Sequence, residues 1–157
     1  MTTLSRTLCA TALALTLHAA FAADTAVAPA AADPLAPARA QIAAQHWRAA
    51  IDELRRVNDT GSADWNNLMG YSLRKAKTPD LEGSEHFYDE ALRIDPNHRG
   101  ALEYSGELYL MKGDVAKAEQ RLAALDKLCR LPCEEHTRLK KALAAYRANG
   151  GNYSSVY

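Results

Sequence analysis

The chain is 157 residues long with 48% apolar side chains, and its 19 basic and 19 acidic residues leave a formal net charge of zero. That balance excludes the concentrated basic face that nucleic acid requires and any strong attraction to anionic lipid. The length suits one small domain with a core of its own.

In chain order, residues 1–22 read as a cleaved export leader. Arg6 supplies a positive start, Thr7 to Ala20 are mostly apolar, and Ala20-Phe21-Ala22 offers a small-x-small site with the cut after Ala22. The apolar run, interrupted by Thr residues and His18, is too short for a membrane span, and no other run in the sequence could cross a bilayer. Cys9 has Arg6 three residues before it, which does not make a lipobox, so a free soluble product is expected. About 135 residues then remain, in a periplasmic or secreted setting. Residues 23–37, ADTAVAPAAADPLAP, are rich in Ala and Pro with almost no bulky apolar side chain. Such a stretch cannot offset its ordering entropy and is expected to be an extended linker.

From Leu35 onward the pattern is helical, with expected helices near 36–44, 47–58, 63–76, 80–94, 98–111, 114–128 and 134–147. Trp47, Ala50, Leu54 and Val57 recur 34 positions on as Leu81, Ser84, Tyr88 and Ala91, and again as Val115, Ala118, Leu122 and Leu125. Each set is spaced i, i+3, i+7, i+10, which lines one face of a helix. Three copies of one amphipathic helix imply stacking, because no copy can bury its stripe alone. Local chemistry marks the ends. Ser62 is placed to cap the third helix, Thr78 the fourth with Pro79 at its first position, and Asp95-Pro96 the fifth in the same way. Gly113 closes the fifth helix, Asp114 opens the sixth, and Asn149-Gly150-Gly151 ends the last, with 149–157 expected as a loose tail.

Asp64 to Lys75, followed by Phe87-Tyr88-x-x-Ala91-Leu92-x-x-Asp95-Pro96-Asn97-His98, resembles a tetratricopeptide repeat. Ala101-Leu102-x-x-Ser105-Gly106-x-x-Tyr109-x-x-x-Gly113-Asp114-x-x-x-Ala118 is similar to the same family. The resemblance covers about residues 38–128, with two departures: Gly70 and Gly106 lie 36 rather than 34 apart, and Ser84 stands where Ala is usual. It implies an all-α fold over 38–148, a short solenoid of antiparallel helix pairs with a C-terminal capping helix. Gly70 and Gly106 would sit where paired helices approach closely, with Ala118 in the partner position.

The resemblance also implies a concave face lined by the first helix of each pair. Its positions fall on Asn67, Tyr71, Arg74 and Lys75, and then on Glu103, Glu107, Leu110 and Met111. An aromatic and basic wall beside an acidic and apolar one suits a peptide or helix from another envelope protein. The function expected is therefore a non-enzymatic scaffold or adaptor without a cofactor, with self-association as a further outcome because short arrays expose apolar ends.

Cys129 and Cys133 flank a turn before the acidic start of the last helix, and in an exported chain they are expected to form a structural disulfide. The alternative is a thiol- or metal-handling accessory protein in which Cys129, Cys133 and His136 hold a soft metal or the thiols act in redox chemistry. The remaining histidines do not cluster, and no nucleophile, base or Gly-rich loop stands in a catalytic context.

Overall fold

In a computed structural model, the structure describes residues 32–131 and 133–153. Among these, seven helices follow one another without a strand: α1 (Ala36–Ala43), α2 (Trp47–Val57), α3 (Ala63–Lys75), α4 (Leu81–Ile94), α5 (Arg99–Met111), α6 (Val115–Leu128) and α7 (Glu134–Ala148). The expected leader, and the expected linker as far as residue 31, lie outside the described residues. The linker's last residues belong to the fold: Leu35 is buried, and Asp33 accepts its N–H at 2.9 Å just before α1 begins.

The helices pair as α1–α2, α3–α4 and α5–α6, and α7 lies against α5 and α6. This is a solenoid-like all-α architecture of stacked hairpins. Each expected stripe finds its core. Ala50, Leu54, Ser84, Tyr88, Ala91, Ala118 and Leu125 are all fully buried. Trp65 joins the first two hairpins, because its indole N–H donates to the Leu54 carbonyl at 2.7 Å and its ring meets Phe87 edge-on.

Of the five expected caps from α3 to α6, three form where the sequence puts them, and two do not. Ser62 Oγ accepts the Trp65 N–H at 3.3 Å, and Asp114 Oδ1 accepts that of Lys117 at 3.0 Å. Gly113, at φ +78°, ends α5 with the Asp114 N–H on the Tyr109 carbonyl at 2.8 Å. The cap of α4, however, is Asp80, which accepts from Gly83 at 2.9 Å, while Thr78 and Pro79 lie outside the helix. The longer turn folds back so that the Asp80 N–H bonds Leu73 O at 3.2 Å, and this places the carboxylate at the helix start. Asp95 closes α4 and turns onto the Asn97 N–H at 2.9 Å, leaving His98 Nδ1 to cap α5 by accepting from Ala101 at 3.0 Å.

Gly70 sits in close helix–helix contact: a Cβ there would stand 2.8 Å from Tyr88 Cε1 and 3.1 Å from the Ser84 carbonyl oxygen. Gly106 faces a different neighbour from the one expected. Its nearest obstacle is Leu139 of α7, with Cδ2 2.5 Å from the added Cβ, while Ala118 packs among Tyr109, Leu110, Ala142 and Leu143. The capping helix therefore takes the close approach at the second glycine. Cys129 and Cys133 stand at disulfide bonding distance, joining the end of α6 to the start of α7. A loop this short removes little chain entropy, so the bridge contributes roughly 2 kcal/mol.

Replacing Gly70 by Ala should destabilise the fold by about 1–3 kcal/mol, because Tyr88 is enclosed and cannot yield. Urea denaturation checks this, with Gly61→Ala as the control: no atom lies closer than 4.0 Å to an added Cβ there, and its stability should hold or rise.

Candidate functional site

The eight expected contact residues lie mainly between α3 and α5. Asn67, Arg74, Glu103, Glu107 and Leu110 are buried, while Tyr71, Lys75 and Met111 keep part of their surface. The expectation of a solvent-facing wall is corrected for those five. α3 and α5 meet at their facing sides, and α7 packs over α5.

The centre of this region is an ion pair. Arg74 Nη2 meets Glu107 Oε2 at 2.8 Å, and the two side chains are 2% and 4% exposed, low enough to put the pair out of water. Aromatic rings take up the rest of the guanidinium, whose carbon lies 5.6 Å from the centre of the Tyr71 ring and 5.8 Å from that of Tyr104. Tyr71 in turn meets Trp47 of α2 edge-on at 5.8 Å and Tyr104 of α5 at 4.5 Å. Arg74 Nη1 also points at the Met111 sulfur, 3.9 Å away. Burial alone would push the Arg74 pKa down, but the surrounding Tyr88, Glu107 and Tyr153 more than reverse this and hold it above its usual value. Lys75, on the rim, is pulled down, first by burial and then by repulsion from Arg74.

A residue the sequence left in a loose tail completes the site. The chain after α7 turns at Gly150 and Gly151, both with positive φ, and brings Tyr153 back over α5. The Tyr153 hydroxyl donates to Glu107 Oε2 at 3.3 Å and accepts from Arg74 Nη1 at 3.5 Å. The residues 149–153 therefore form an ordered strap. The Asn149-Gly150-Gly151 signal foretold the turn; nothing local named its target.

One helical turn before Glu107, Glu103 faces Arg138 of α7 at 3.6 Å. Burial raises its carboxyl to about 8; Arg138 and Arg74 oppose the rise, and Glu107 and Glu135 add to it. In the sequence Asp64 stands out only as part of the repeat motif, yet it links α3 to α1 and to the start of α5. Its carboxylate meets Arg39 of α1 at 2.8 Å and accepts from His98 Nε2 at 2.9 Å. Because His98 Nδ1 accepts a backbone N–H, Nε2 carries the ring proton in this arrangement. Partial burial works against Asp64, but hydrogen bonds and charge from His98 and Arg39 keep its pKa below the usual value.

Two other surfaces lie apart from this site. A groove of about 600 Å³ opens between α2 and the α3–α4 turn, with Trp47, Ile51, Ala76 and Thr78 in its walls. At the other end of the domain, the His136 ring meets Asp126 at 3.5 Å, and the sulfurs of Cys129 and Cys133 pair with each other. Among the described residues no three His, Cys, Asp or Glu side chains form a group able to hold a metal. No helix there is long and apolar enough to cross a membrane.

Comparison with protein-family models, with curated proteins and with solved structures returns no match for the chain.

Two measurements follow from this charge arrangement. Arg74→Met should cost about 3–5 kcal/mol because it strands the Glu107 carboxylate, whereas Arg74→Met with Glu107→Leu should recover most of that loss; urea midpoints of both variants decide it. Glu103 holds its proton in the folded state at pH values where the unfolded chain has lost it. Its stabilisation is complete below about pH 4.5 and is lost as pH rises to about 8. Glu103→Gln should therefore lose less stability than the parent between pH 5 and pH 8.

Proposed function

We propose that the chain is a non-enzymatic adaptor of the tetratricopeptide type that binds an extended segment of a partner protein along the first-helix layer. The observation that carries this reading is the rim of the Arg74–Glu107 site. Tyr71, Lys75 and Met111 keep partial exposure there, around a rigid buried charge pair. Aromatic and thioether side chains of this kind supply contact area at protein interfaces. The buried members, Asn67, Arg74, Glu103, Glu107 and Leu110, hold the helices that present the rim.

We place the protein in the bacterial periplasm, or among secreted proteins, as a product released from the leader at 1–22. The sequence of that leader supports this, as does a cysteine pair at bonding distance, since such bridges persist in oxidising compartments. The partner is then another envelope protein. The thiol- or metal-handling alternative gains no support from the positions of Cys129, Cys133 and His136.

A photo-crosslinking residue at position 75 or 111 should capture a discrete partner in intact envelopes. The same residue at Glu90, on the outer helix α4, should capture none. Adducts formed equally from position 90 would move the contact off this layer.

A further inference from the structure

The strap that covers the site has the features of a stand-in for a ligand. It reaches the ion pair through one side chain, and both hydrogen bonds of the Tyr153 hydroxyl are long, at 3.3 and 3.5 Å. Its turn is held locally, by reciprocal bonds between Asn149 and Asn152 at 3.1 Å and by the Gly151 N–H on Tyr146 O at 3.0 Å. Two glycines at positive φ make this a ready hinge. Beside the tyrosine lies an open surface depression of about 400 Å³, lined by Leu110, Met111 and Tyr146 and by Gly151 and Asn152 of the strap itself. The pair beneath is also not fully satisfied, because Arg74 Nε and Glu107 Oε1 are buried without a hydrogen-bond partner.

We propose that the Arg74–Glu107 pair forms a tyrosine-binding slot, occupied by the chain's own Tyr153 until an extended partner segment carrying a tyrosine displaces it. A phenol suits this slot better than an aliphatic or charged side chain. Its ring packs on the apolar wall of Leu110 and Met111, and its hydroxyl both donates to the carboxylate and accepts from the guanidinium. An incoming carboxylate would meet Glu107, and an incoming amine would meet Arg74. Sequestration follows from linkage: a tethered occupant competes at a high effective concentration, so the closed strap lowers the apparent affinity for any partner. Opening withdraws the Tyr153 ring from the cluster of Tyr109, Leu110 and Ala142 but breaks no hydrogen bond within a helix.

This inference rests on the adaptor reading and names the partner class for the same site. The test uses the full chain and a synthetic peptide of residues 149–157 as probe. The Tyr153→Ala protein should bind that peptide at least about tenfold more tightly than the parent, whose slot is taken. A peptide with Phe in place of its first tyrosine should bind severalfold more weakly than the probe. Tyr153→Phe keeps the packing and serves if the Ala variant does not fold; it too should take up the tyrosine peptide more readily than the parent. Equal binding by parent and variants would overturn the slot and leave Tyr153 as a structural staple. A concentration-dependent dimer that disappears in Tyr153→Ala would show that a second copy's strap is the natural occupant, and would overturn the partner claim. Loss of peptide binding with crosslinks from position 111 intact sinks the slot and spares the adaptor; peptide binding without such crosslinks does the reverse.

Discussion

The fold depends most on how it accommodates one charge. Arg74 projects from α3 into a region with almost no water, and a guanidinium cannot escape by losing its proton. It needs a carboxylate, and Glu107 on α5 supplies one. It needs flat, polarisable surfaces for its faces, and Tyr71 and Tyr104 supply those. These demands fix the rotation and register of α3 against α5 more tightly than apolar contacts would, since oil-like surfaces slide and a buried ion pair does not. The aromatic contacts then spread outward, from Tyr71 to Trp47 of the first hairpin and from Tyr104 to Tyr88 on α4.

The outer layer is organised differently. Glu85 takes Lys112 and Lys117, and Asp89 takes Arg121, so α4 is tied to the end of α5 and to α6 by charges that keep part of their surface in water. Such pairs are worth tenths of a kcal/mol each and set alignment more than stability. The molecule thus has an inner layer where electrostatics is costly and specific, and an outer one where it is cheap and adjustable. The groups of the first are already held in position by their neighbours.

The helices and their order are legible in the sequence because the punctuation is local. Ser62, Gly113, Asp114 and the 34-residue stripe each act within a turn or two of their own position. His98 is not legible as a cap because histidine is not among the usual capping residues; it serves here with Asp95 drawn to Asn97 and Asp64 holding its ring. The burial of Asn67, Arg74, Glu103 and Glu107 was not legible for a physical reason. A polar residue on a helix face reads the same whether it meets water or the next helix, and the answer depends on how closely hairpins stack. Tyr153 is the extreme case. Its partners lie 79 and 46 positions earlier in the chain, beyond the reach of any periodicity.

The bridge between Cys129 and Cys133 bears on how the chain matures. Its cysteines are four positions apart, so their encounter needs only the local turn and none of the stacked hairpins. The third cysteine of the sequence, Cys9, lies 120 positions before Cys129, so loop closure favours the local pair over any pairing with it. Oxidation can precede folding, follow it or run alongside it and give the same product. A bridge this local asks little of any assembly machinery.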